Sequence, residues 1–206
     1  TAYLSTAYFA PVSYYASFLR YDRIVIEQWC NYTKQTYRNR CHIAGANGLL
    51  ALSVPIVKPN TIKCPTKDIR ISDHGEWRHL HWNAIASAYG SSPFFEYYQD
   101  DIRPFFEKRY EFLLDFNEEI RRTVCNLIGL EPHIEYSSSY SEPAPGETDL
   151  RDAIHPKRRK AETILPVQPK PYYQVFSEKY GFQPDLSIID LLMNMGPESI
   201  LILQNT

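Results

Sequence analysis

Short apolar runs and helical stripes alternate from the first residues onward. Residues 2–5 read as a strand. Pro11 then opens a helix over 11–20, at a position where its missing N–H is harmless, and Ile24-Val25-Ile26 reads as a second strand. A helix crossing between two short apolar strands makes them parallel and right-handed, and the ligand crevice of such a sheet lies at the strands' carboxyl ends. The loops 6–10 and 27–39 are therefore where binding chemistry is expected. Residues 40–43 and 50–54 flank Asn47-Gly48, a hairpin signal, and Ile69 and Ile71 carry a strand-like alternation over 68–72.

The middle of the chain turns helical. Over 75–89 the residues Trp77, Leu80, His81, Ala84, Ile85 and Ala88 form one stripe, with Asp73 and Glu76 at capping-box spacing in front and Gly90 behind. This puts His81 on the apolar face. A longer helix is predicted over 104–127 on the seam Phe106, Tyr110, Leu113, Asn117, Ile120, Val124, Leu127, where the polar Asn117 fixes register or bonds a neighbour. Residues 133–136 read as a strand. From 137 to 172 periodicity is lost and six of the 15 prolines fall there, too long a stretch for a passive loop, so a disordered insert or a functional flap is expected. Order returns over 186–195, where Ser187 and Asp190 stand at capping-box spacing and Gly196-Pro197 ends the helix. The fold class is α/β, or α+β as a variant. It is read as a single domain over 1–206 with a mixed sheet begun by a parallel βαβ unit, extended by a β-hairpin and packed by helices.

Charge and composition narrow the function. Against 24 acidic residues stand 22 Lys and Arg, a net charge of −2, which lacks the basic excess of a nucleic-acid binder or a polybasic membrane surface. No nucleic-acid partner is expected. The first 19 residues are uncharged but hold four tyrosines and no leading basic stretch, unlike a signal peptide, and no apolar run nears the ~20 residues of a spanning helix. A cytoplasmic protein without membrane insertion is the expectation. The four cysteines form no C-x-x-C pair and read as free thiols. His79 and His81 are two apart, on different sides of a helix, so no metal site is expected; the dinucleotide, P-loop and hydrolase motifs are absent, and the cofactor stays unknown.

The densest polar cluster is Tyr32, Lys34, Tyr37, Arg38, Asn39 and Arg40, directly after the second strand. Arg offers a bidentate fork and Lys a point charge, which suits an anionic small molecule such as a nucleotide sugar or a phosphorylated metabolite. A salt-bridged solvated loop is the alternative. His81 is a candidate proton carrier, or a satisfied core histidine. Asp100-Asp101, Asp115 and Glu118-Glu119 read as solvated helix faces. Phe94, Phe95, Tyr97 and Tyr98 offer an exposed aromatic platform for a non-catalytic binding or assembly protein.

Several segments together resemble the WbqC-like protein family. They are 4–11 with Tyr14, Tyr32-Thr33-Lys34, Arg38-Asn39-Arg40, Glu76-Trp77, His81-Trp82, Tyr89, 92–95, Leu150-Arg151-Asp152 with His155-Pro156-Lys157, 173–176, Gly181-Phe182 and 186–192 with Asn194, Gly196 and Pro197. The resemblance implies that Arg151, His155 and Lys157 belong to a site, and it marks Asp190 and Asn194 as matching positions. Met193 and Met195 depart from the family pattern. Members of this bacterial family are often associated with surface-polysaccharide genes, including those of O-antigen. The resemblance carries no particular reaction; the convergence of basic residues from distant motifs suggests an enzyme of polysaccharide or nucleotide-sugar metabolism, with group transfer at a cationic cleft. Lys34, Arg38, Arg40, Arg151 and Lys157 would meet the anion, and His81, His155 or Asp190 would handle a proton. The opening strand, Pro-containing turn and helix are also similar to the nucleotidyltransferases of the HxGH class, whose two histidines are absent from 9–16.

Overall fold

A computed structural model describes residues 1–61, 63–157 and 169–206. The opening βαβ unit is present: β1 (Ala2–Leu4), α1 (Val12–Arg20) and β2 (Ile24–Ile26), with Ala2 opposite Ile24 in parallel register. Pro11 stands just before α1 rather than inside it. β5 (Ile134–Tyr136) adds beside β2, and β6 (Thr148–Asp149) adds on the far side of β1, giving a parallel sheet of order β5-β2-β1-β6. β1 and β2 are almost wholly buried, as parallel strands covered on both faces must be.

The hairpin forms as β3 (Arg40–Gly45) and β4 (Gly48–Ser53), closing at the Gly45–Gly48 pair with Gly48 at φ 102°. It does not extend the first sheet: parallel and antiparallel pairings lie in two separate sheets. Around them pack α2 (Trp77–Tyr89), α3 (Phe95–Ile102), α4 (Pro104–Glu107), α5 (Leu113–Ile128), α6 (Ser177–Tyr180), α7 (Ile188–Met195) and α8 (Ser199–Gln204).

Three local expectations need correction. The helix expected over 104–127 is two helices, because residues 111–113 lend their backbone to an extended stretch: Ile71 N–H donates to Glu111 O, and Leu113 N–H donates to Ile69 O. The capping box at Asp73 and Glu76 does not form. Asp73 instead pairs with Arg78 at 2.6 Å and with Arg109 at 3.3 Å, and a 3-10 turn with Glu76 at φ 48° precedes α2. Glu118 is buried rather than solvated, because α5 is covered on two stripes, one of which is Leu114, Glu118, Arg121, Cys125. The Pro-rich stretch supplies β6. Its basic residues 158–160 lie outside the described residues.

All four cysteines are free. Burial pushes the Cys125 thiol up to about 11, and Cys41 higher still.

Candidate functional site

From β1 the chain moves to β2 and β5 on one side, and then returns to β6 on the other. The reversal, where α/β sheets bind ligands, therefore falls between the carboxyl ends of β1 and β6. A small crevice lies there, walled by residues 4–7, Tyr14, residues 36–38, Leu150, Arg151 and Ile154, with about 10 Å³ of room, that of one water molecule. The usual anion seat of such a sheet is the amino end of the helix after the first strand. Here the chain's own Asp185 fills it: Oδ1 accepts from Ser13 N–H at 2.8 Å, and Oδ2 accepts from the Ser13 hydroxyl at 3.0 Å. The loop before α1 is held tightly. Phe9 sits at φ 37°, a strained value for an aromatic residue, while the Ser187 hydroxyl donates to its carbonyl at 2.7 Å.

An incoming anion must therefore meet side chains. Three guanidinium groups reach this edge of the sheet. Arg121 pairs with the buried Glu118 at 2.7 Å, and Glu118 also accepts from the Thr6 and Tyr136 hydroxyls. Arg151 is held by Asp149 through two hydrogen bonds of 2.9 and 2.6 Å and reaches Glu142 at 3.2 Å, so its charge staples the Pro-rich stretch to β6. Arg38 is only 4% exposed and donates to Ser5 Oγ at 2.7 Å and to Cys30 Sγ at 3.6 Å, yet among the described residues no carboxylate pairs with it. Asn117 on α5 fixes the loop that carries it, its amide donating to Arg38 O at 2.8 Å. The polar residue on the seam thus bonds a neighbour. Glu27, buried after β2, accepts from Trp29 N–H and from the Ser137 hydroxyl at 2.7 and 2.9 Å.

The same two stretches, 35–42 and 150–157, also wall a larger pocket of about 510 Å³ with Leu49, Phe182, Gln183 and Pro184. Its cations are Arg40 and Lys157. Arg40 donates through Nε to Ser53 Oγ at 2.9 Å, and neither cation has a carboxylate partner among the described residues. A groove of similar size over Trp82 differs on this point: its Arg78 and Arg103 pair with Asp73 and Glu107. Volume and composition of the 510 Å³ pocket fit a small-molecule site, with an apolar wall and a few convergent polar groups.

The cluster of 32–40 is divided by the fold. Arg38 faces the crevice, Arg40 faces the pocket, Asn39 donates to Val54 O at 2.8 Å, and Lys34 is exposed. Burial pushes the Tyr32 hydroxyl up to about 12, against the pull of Arg38 and Arg40. His81 lies in the core with its Nδ1 2.8 Å from the Tyr8 hydroxyl. Burial depresses its imidazole to about 4, opposed by the Ser53 carbonyl, so it is neutral near pH 7 and braces the loop before α1. His155 Nδ1 accepts from Lys157 N–H at 3.1 Å.

Asp190 does not turn back to cap α7, although Ser187 Oγ does accept from Ile189 N–H. Its carboxylate, fully buried, accepts from the Tyr89 hydroxyl at 3.0 Å, the Tyr172 hydroxyl at 2.7 Å and the Gln174 amide at 2.9 Å. Burial and then the Asp190 charge push both tyrosine hydroxyls well up, so they stay donors. Gln174 also bonds Gln183 at both its N–H and its carbonyl, which ties this buried cluster to the wall of the large pocket. Asn194 donates to Asp190 O at 2.8 Å. Neither wall includes His81, His155 or Asp190.

The sequence reading gave no role to Ser5 or Phe182 beyond the family pattern and none to Glu27 beyond its loop, did not single out Gln35 or His42, and read the buried Glu118 as solvated. Position gave a signal for Ser5 and Glu27, each the first residue after a short apolar strand. The stripe of Leu114, Glu118, Arg121 and Cys125 gave one for Glu118. The aromatic platform is dispersed: Phe95 and Tyr98 are core residues, and Tyr97 at 71% is the exposed one. Among the described residues, no group of three or more His, Cys, Asp or Glu is placed to hold a metal ion. Nor is any helix among them long and apolar enough to cross a membrane.

Comparison with known proteins agrees with the motif pattern. The profile of the WbqC-like protein family matches residues 6–202. Uncharacterized protein Rv1507c of Mycobacterium tuberculosis is 25% identical over 93% of this chain and 89% of its own length. No solved structure gives a significant match.

Proposed function

The chain belongs to the WbqC-like protein family, and from that premise we propose that it is a cytoplasmic group-transfer enzyme of surface-polysaccharide or nucleotide-sugar metabolism. Its anionic substrate sits in the 510 Å³ pocket. One observation carries the reading: Arg40 and Lys157 converge on that pocket, and no carboxylate stands on its described wall. Two cations with an apolar wall suit a diphosphate joined to a ring. The fork of Arg40 and the point charge of Lys157 take the phosphates, and Phe182 offers a face to the ring. The Arg151 staple fixes the start of the stretch that carries Lys157, which lines the same pocket as Arg40. In this reading Asp190 shapes the wall through Gln174 and Gln183, and its three donors hold it in place.

The test is calorimetric titration of the protein with nucleoside diphosphates and their sugars, followed by assay for released nucleoside diphosphate. Arg40→Ala with Lys157→Ala removes two charge-assisted contacts and weakens binding by at least ~10-fold. Unchanged affinity in the double variant would displace the ligand from this pocket. Tight binding without turnover, with every acceptor class supplied, would leave a binding protein instead of an enzyme.

A further inference from the structure

Among the described residues the charge of Arg38 is unmatched where its neighbours' charges are matched. Arg121 has Glu118 and Arg151 has Asp149 and Glu142, while no carboxylate pairs with Arg38 among the described residues. A guanidinium buried this deeply is costly unless an opposite charge meets it. Its Nη2 is used by Ser5 and Cys30, but its Nε has no acceptor. The Ser5 hydroxyl accepts from Arg38 and makes no donated bond among the described residues, so it retains a proton to give. Both groups line the crevice at the ends of β1 and β6, whose room is that of one water molecule. The helix end that would otherwise attract an anion there is already closed by Asp185.

We propose that Arg38 and Ser5 receive one oxygen of a carboxylate or phosphoryl group, presented at the crevice by a second small substrate distinct from the ligand of the large pocket. The room allows a single oxygen and not a whole phosphate, so the rest of the group lies outside. The oxygen accepts from the Arg38 guanidinium and from the Ser5 hydroxyl, and the buried positive charge is then matched. The inference rests on the surroundings of Arg38 and does not need the pocket reading to hold.

The experiment uses the full chain carrying Arg40→Ala and Lys157→Ala, so that failure of the large pocket leaves the result intact. Thermal unfolding midpoints are read against sodium acetate and sodium phosphate at constant ionic strength. The expected result is a midpoint that climbs with anion concentration by mass action. Addition of Arg38→Met weakens the response by about 10- to 100-fold and leaves the anion-free midpoint no lower, because an unmatched buried charge has been removed. A response to acetate alone assigns a carboxylate, and a response to both assigns either oxyanion. An equal response with Met at position 38, or no response in the parent, overturns the proposal. Should the Arg38→Met chain fail to fold, a second measurement on the unsubstituted protein decides. Iodoacetamide alkylation of Cys30, which the Arg38 guanidinium touches, slows relative to Cys64 when the anion binds, and an unchanged ratio of rates overturns the proposal.

Discussion

Replacing Asp185 by Ala tests how the opening βαβ unit is held. The substitution removes the acceptors of Ser13 N–H at 2.8 Å and of the Ser13 hydroxyl at 3.0 Å, at a site that is almost fully buried. Each hydrogen bond to a charged group contributes about 1.5–3 kcal/mol, and a carboxylate at a helix start adds about 0.3–1 kcal/mol. The terms overlap, so the expected loss is about 3–5 kcal/mol for Asp185→Ala. Asp185→Asn keeps one acceptor and tolerates the φ of 54°, and loses about 1–2 kcal/mol. With a urea slope of about 2 kcal/mol per molar, the midpoint falls by about 1.5–2.5 M for Ala and about 0.5–1 M for Asn. Tryptophan fluorescence and far-UV circular dichroism follow the transition together. If Ala moves the midpoint by under about 0.5 M, or Ala and Asn move it equally, the carboxylate is not what closes the helix.

Two further outcomes follow from buried groups. The folded-state pKa of His81, about 4, lies below its ordinary 6.5, so the unfolded chain takes up the proton first. The stability this contributes is complete above about pH 6.5 and is lost as the pH falls toward 4, on the order of 3 kcal/mol in all. His81→Gln flattens that limb in urea midpoints taken at pH 4.5 and 7, and an unaltered limb would assign the acid loss elsewhere. Glu118→Gln strands the buried Arg121 and costs about 3–5 kcal/mol, whereas Glu118→Gln with Arg121→Met recovers much of it. Equal thermal midpoints for the single and double variants would remove the ion pair from the account.

Local elements were legible where a pattern is local. The strands at 2–4 and 24–26, the hairpin and the helix after Ser187 followed from apolar runs and turn residues. The break between α4 and α5 was hidden, since it is made by residues 69–71 borrowing the backbone of 111–113, a pairing with no trace in helical periodicity. β6 was hidden for a similar reason: two residues in a proline-rich stretch become a strand only because β1 has a free edge. At the site, residue type identified the cations but could not divide them. Arg38 and Arg40 are two apart in sequence and serve different cavities, because Asn117, 79 residues away, holds the carbonyl of Arg38. Asp190 looked like a cap from its spacing. Its donors Tyr89, Tyr172 and Gln174 come from elements that spacing cannot connect.

The closure of α1 from residues 185–188 also sets an order of events during synthesis. Val12 N–H donates to Leu186 O, Ile188 N–H donates to Ala10 O, and Ser187 holds the strained Phe9. The ribosome delivers the β1-α1-β2 segment early, but the residues that close its helix and fix its loop arrive more than 170 residues after Ala10. Contacts of such separation form late, because the intervening chain must first be ordered. This unit is therefore made long before the residues that complete it. Until that point, its apolar strands depend on whatever shields a nascent chain.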